Sequence, residues 1–194
     1  MDTRNPKLIS IVAKGRELFW KYGIRRVSIE EICKEAGVSK MTFYKFFKNK
    51  NSLVIYIMDC MMKDQFEQYR SFWDSDIPMV QKVEKAIHLK LEYTRSISNE
   101  LVQDIYKGED EELTGYITKL INDNLEMVRK DFEEAQQKGW IRDDLNINFM
   151  FYFINHLTEV ITDEKLQSLF PDTNSMFKEI MEFFFYGIMP KEHQ

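Results

Sequence analysis

The chain is 194 residues long, enough for one domain or two small ones with a buried core. Apolar residues make up 44% and charged residues 30%, the balance of an ordinary globular protein, and 7 Gly with 4 Pro leave little material for a turn-rich sheet. The formal net charge of −5 is unevenly distributed: residues 1–60 hold 12 Lys/Arg against 6 Asp/Glu, whereas residues 61–194 hold 15 against 26. A basic amino-terminal end on an acidic body points to nucleic-acid binding confined to that end.

In chain order, nearly every segment has helical period. Leu8, Ile11, Val12, Gly15, Phe19 and Tyr22 form a stripe with Pro6 near its start and Gly23 at its end. Ser28 and Glu31 then have the spacing of a capping box, with Ile29, Ile32, Cys33 and Ala36 on one face and Gly37 as a left-handed stop. Val38 plugs the turn, and Ser39 caps a second short helix in which Phe43 and Phe47 face inward. Lys40, Thr42, Tyr44 and Lys45 face outward from it. Two short helices joined by a tight turn, the second with polar and basic residues outward, make a helix-turn-helix, whose second helix enters the major groove.

Asn49 caps a fourth helix that begins at Lys50, carries Leu53, Ile57 and Met61, and runs to about residue 72. The segment Ser75 to Pro78 breaks it and starts a fifth, with Val80, Val83, Ile87 and Leu91 as its core stripe. Leu101 and Ile105 mark a short helix. Four acids from Glu109 to Glu112 open a long one, through Leu113, Ile117, Leu125, Phe132 and Ala135, that stops at Gly139. The last two helices, 147–161 and 174–188, are apolar over more than one face, which calls for a second packing partner.

Cys33 and Cys60 have no metal or redox spacing, and Cys33 reads as a small apolar filler. The amino terminus lacks the apolar run of a signal peptide, and the longest apolar stretch, Phe149 to Ile154, is too short to span a bilayer, so a cytoplasmic protein without membrane association is expected. No recognisable catalytic motif surrounds His88 or His156, and an enzyme is not expected.

The segment from Ile11 to Leu53, with VAKGRELFWKYG, the Ser28 to Ala36 helix, GVSKMTFYKFF and Lys50, closely resembles the amino-terminal domain of the tetracycline-repressor (TetR) family. The resemblance implies an all-α, nine-helix fold, with a helix-turn-helix DNA-binding domain over residues 1–50 and a helical effector-binding and dimerisation domain over residues 51–194. It implies a homodimer through the two carboxy-terminal helices, a palindromic double-stranded DNA operator, and a small-molecule effector but no cofactor and no metal. The DNA-contacting positions it implies are Ser28, Ser39, Lys40, Met41, Thr42, Tyr44, Lys45, Lys48 and Lys50, with Arg25 and Arg26 as weaker candidates. Met41 replaces a small residue usual in the family and Phe46 a common histidine, so no operator sequence carries over. The family includes activators as well as repressors. The alternatives are an effector-independent architectural DNA binder of the same fold and, from a different class, a helical enzyme or carrier. For the effector, Trp73, Tyr93, Tyr106, Tyr116, Asn155 and His156 lie in helices that line a pocket in the family, without defining one here.

Overall fold

The computed structural model describes residues 5–94, 97–108, 110–171 and 173–188. Among them the regular elements are all helices: α1 (Pro6–Tyr22), α2 (Ile29–Glu35), α3 (Lys40–Phe46), α4 (Lys50–Trp73) and α5 (Met79–Thr94), then α6 (Asn99–Lys107), α7 (Glu111–Gln137), α8 (Ile147–Thr162), α9 (Glu164–Gln167) and α10 (Thr173–Ile188). The set holds one helix more than the nine expected. The extra one is the four-residue α9, opened by an Asp163 carboxylate that accepts from the Leu166 N–H at 2.7 Å. A single turn has no period to detect.

The helix starts follow local chemistry. Pro6 occupies the first turn of α1, behind an Asn5 cap. Ser28, Ser39 and Ser98 cap α2, α3 and α6, each hydroxyl accepting a backbone N–H three residues on. Before α4, Asn49 and Ser52 cap reciprocally: the Ser52 N–H reaches Asn49 Oδ1 at 2.8 Å and the Asn49 N–H reaches Ser52 Oγ at 3.2 Å. Asp110 receives the Leu113 N–H at 2.9 Å and opens α7.

The chain forms two compact units, one of Met1–Glu67 with Ser96–Asp123 and one of Gln68–Arg95 with Asn124–Gln194. In the first, Leu8, Ile11, Phe19, Ile32, Phe43, Leu53, Leu101 and Ile117 are buried from α1, α2, α3, α4, α6 and α7. Gly15 permits a close crossing of α1 and α4: a Cβ there would lie 2.9 Å from Leu53 Cδ2.

The second unit has an aromatic core. Tyr69 stacks on Trp73 at 5.2 Å between ring centres, and Trp73 packs on Phe132 at 4.9 Å. Val83, Ile87, Met150, Ile154, Phe184 and Ile188 join the same cluster. Two stripe assignments need correction. Val80, in the first turn of α5, is exposed, while Leu89, off the expected stripe, is buried; α5 is enclosed over a wide arc rather than along one line. Leu125, within the expected stripe of α7, is also exposed. Among the described residues no helix is long and apolar enough to cross a membrane.

Candidate nucleic-acid interface

The turn between α2 and α3 is fixed by backbone geometry. Gly37 has φ +66°, a conformation that costs glycine little, and the chain closes in a Schellman arrangement. The Gly37 N–H donates to the Lys34 carbonyl at 3.2 Å, and the Val38 N–H to the Cys33 carbonyl at 2.9 Å. From α1, the Ser10 hydroxyl donates to the Ala36 carbonyl at 2.9 Å and braces the end of α2.

That turn sets the start of α3. The Ser39 hydroxyl accepts the Thr42 N–H at 3.1 Å and lies 3.0 Å from the Thr42 hydroxyl. Phe43 and Phe47 are buried, 5.7 Å apart, and Phe47 packs edge-on against Tyr56 of α4. With those rings anchored, the opposite face projects outward: Met41 is 72% exposed, Tyr44 is 55% exposed, and Lys40, Lys45 and Lys48 are exposed. Thr42 is half-buried because its hydroxyl belongs to the cap.

A notch of about 260 Å3 opens between α2, α3 and the start of α4, lined by Ser28, Ile29, Glu30, Lys40, Tyr44 and Lys50. It gathers four of the nine expected contact residues, Ser28, Lys40, Tyr44 and Lys50, from three successive helices. The Ser28 and Tyr44 hydroxyls and the Lys40 ammonium that line it are donors of the kinds that phosphate oxygens accept from. Glu30 is the exception: its carboxylate pairs with Lys40. The pairing holds the Glu30 carboxyl below the usual carboxylate range and the Lys40 ammonium above the usual lysine range.

Lys50 is turned toward the protein. Its Nζ donates to the carbonyls of Ile24 at 2.6 Å, Val27 at 2.9 Å and Arg25 at 3.3 Å, holding the loop that leads into α2. Burial pushes its ammonium below the ordinary range, and Asp104 partly offsets this. The other side of the loop is held from α6, where Asp104 Oδ2 accepts the Arg25 N–H at 2.9 Å. The Ser98 N–H donates to the Trp20 carbonyl at 3.0 Å, a second tie between α6 and α1. Arg26 lies over the Tyr22 ring at 4.1 Å. Sequence reasoning missed Glu30 and Asp104, and no local signal could have found them: their partners lie 10 and 79 positions away.

The residues considered for an effector do not converge. Trp73 is in the aromatic core, Tyr93 accepts from Gln68 Nε2 at 2.8 Å, and Tyr116 donates to Asp59 at 2.8 Å. The His156 ring nitrogen is 2.8 Å from the Tyr152 carbonyl of its own helix. The side chains of Tyr106 and Asn155 fall outside the described residues. Among the described residues, no group of three or more His, Cys, Asp or Glu could hold a metal ion.

A braced helix-turn-helix with a basic, polar outer face beside a notch lined by hydroxyl and ammonium groups, set among helices, defines a DNA-binding protein of the helix-turn-helix class. Residues 11–57 match the family model of the bacterial regulatory proteins, tetR family. The chain is 21% identical over 201 residues to the fatty acid metabolism regulator protein of Bacillus subtilis, covering 98% of this chain and 100% of that one. Its fold is similar to that of the fatty acid degradation regulator FadR from Bacillus halodurans, with a TM-score of 0.72 and 18% identity over 94% of this chain and 96% of that one. It is similar also to the transcriptional regulator FadR from Bacillus subtilis, solved in complex with stearoyl-CoA, with a TM-score of 0.69 and 19% identity over 91% and 96% of the two chains.

Proposed function

We propose that the protein is a cytoplasmic repressor that binds a palindromic operator as a homodimer and is released from it by a small-molecule effector. The observation that carries this reading is the exposed face of α3 beside the notch. Met41, Thr42 and Lys45 meet base edges, while Ser28, Ser39, Lys40, Tyr44 and Lys48 meet the phosphate backbone. Lys50 serves the same surface from behind, by fixing the loop that sets α2 against α3. Residues 1–50 read the DNA, and residues 51–194 bind the effector and pair the subunits.

The pairing runs through α8 and α10, whose outer faces carry Phe149, Tyr152 and Phe183 at 64%, 64% and 77% exposure. Aromatic side chains this open are what a subunit interface covers. A two-fold axis through a four-helix bundle gives two recognition helices and hence a palindromic site. For the effector we favour an acyl-CoA thioester, the ligand type in the related FadR structure. The effector can release DNA only by binding better to the state that fits DNA worse. The ties between α6 and the loop at Arg25, and the anchoring of α4 at Lys50, are the parts through which such a shift reaches α3.

The test is fluorescence anisotropy of labelled DNA from upstream of the coding gene, with a scrambled duplex as control. Tighter binding to the upstream DNA, a steep loss of affinity with salt, and release by stearoyl-CoA but not by free CoA are the expected results. Equal binding to both duplexes with no response to any acyl-CoA would favour an architectural DNA binder instead.

A further inference from the structure

The notch holds one residue that works against DNA. Glu30 lies in the first turn of α2, and its carboxylate is paired with Lys40, the first residue of α3, so that a cavity suited to a phosphate already contains an anion. The pair is solvent-exposed, with 66% of the Glu30 side chain and 55% of the Lys40 side chain accessible, so the fold does not need it as a buried strut. Ser28 and Tyr44 line the same space, and the Lys50 ammonium is committed to the loop carbonyls. Lys40 is therefore the notch cation that a phosphate would recruit, and Glu30 is the group it would have to displace.

We infer that Glu30 is a specificity-determining residue that keeps Lys40 neutralised on non-operator DNA. The inference rests on the DNA-binding reading above. A random duplex offers α3 no base contacts to offset opening of the pair, so the pair stays closed and one phosphate contact is missing. At the operator, base contacts from α3 draw the recognition helix in, and the phosphate replaces the carboxylate on Lys40. Glu30 acts through Lys40 and is a positioning residue for it; its effect is to widen the gap between operator and random DNA.

The experiment measures binding of a random-sequence 24-base-pair duplex, and of a duplex selected from a random library by the wild-type protein, across a salt series. Glu30→Gln is expected to bind the random duplex about five- to tenfold more tightly near 0.1 M salt, with a log–log salt slope steeper by about 0.9, the increment for one more neutralised phosphate. The selected duplex gains less, so the ratio between the two falls. Glu35→Gln, which removes the same charge from the other end of α2, leaves the slope unchanged. In a Lys40→Gln background, Glu30→Gln adds nothing. An unchanged slope in Glu30→Gln overturns the inference, as does an equal gain from Glu35→Gln or a gain that persists without Lys40. Failure of the wild-type protein to bind any duplex would instead remove the DNA-binding reading on which it rests.

Discussion

Lys50, a proposed DNA-surface residue, is turned inward to the loop that leads into α2. Its three carbonyl partners belong to the loop that fixes the start of α2, so losing the ammonium leaves those oxygens without their donor. Hydrogen bonds to a charged group contribute about 1.5–3 kcal/mol. Lys50→Met is therefore expected to lower unfolding free energy by about 1–3 kcal/mol in a urea titration, and to weaken DNA binding through disorder of the notch; an unchanged midpoint would show that the loop does not need it. Tyr69 makes a prediction in pH. Burial first, and the neighbouring Asp131 second, push its hydroxyl far above the ordinary tyrosine value of 10.0. The hydroxyl is buried beside Asp131 without a hydrogen bond of ordinary geometry. With a raised folded value, the stabilisation is fully present below the unfolded value and is lost as pH rises above about 10, where the unfolded tyrosine ionises and the folded one does not. Tyr69→Phe should flatten its share of that alkaline loss in thermal melts taken between pH 8 and 11. It should cost little stability at neutral pH, because no good hydrogen bond is broken.

At the scale of elements, the helices are placed by caps and by close crossings. The caps were legible: Ser28, Ser39 and Asn49 sit at the right offsets before apolar runs, and each makes the bond its position implies. The crossing of α1 and α4 was not legible as a contact, since Gly15 reads only as one member of a stripe. Its missing Cβ lets Leu53 approach, and this fixes where α4 leaves the helix-turn-helix. Gly15→Ala should be near neutral, because a gain in helix propensity of about 1 kcal/mol offsets a small shift of the Leu53 methyl. Gly15→Val should destabilise by about 1–3 kcal/mol, as overpacking does; equal melting temperatures for the two variants would show that the crossing has slack. The stripe assignments that failed, Val80 and Leu125, share a cause. Helical period says which residues line up along a helix, but not how wide an arc its neighbours cover.

At the scale of the whole molecule, the charge division has a consequence that a net value hides. A chain of net charge −5 binds an anionic polymer only if its basic end meets DNA while the acidic remainder stays clear. The proposed pairing through α8 and α10 would supply two such ends per particle. Phe149→Glu combined with Phe183→Glu is expected to give a monomer by light scattering, whose affinity for the palindromic duplex falls to that of a single half-site. A double variant that remains dimeric would place the interface elsewhere. Both side chains are open in the single chain, so the substitutions should leave the protomer's own melting transition nearly intact.

What the sequence determined by itself is the local part: nine stretches of chemistry, caps, periods and glycine stops, which place the longer helices to within a few residues and give the helix-turn-helix its inward and outward faces. These features depend on neighbours three or four positions away, so they survive in a string of letters. The tertiary structure alone decided which side chains meet. It turned Lys50 inward to the loop, set Asp104 against the Arg25 N–H, and brought Glu30 onto Lys40 within the notch. Those contacts join residues far apart along the chain, and only the packing of one helix on another fixes their distance.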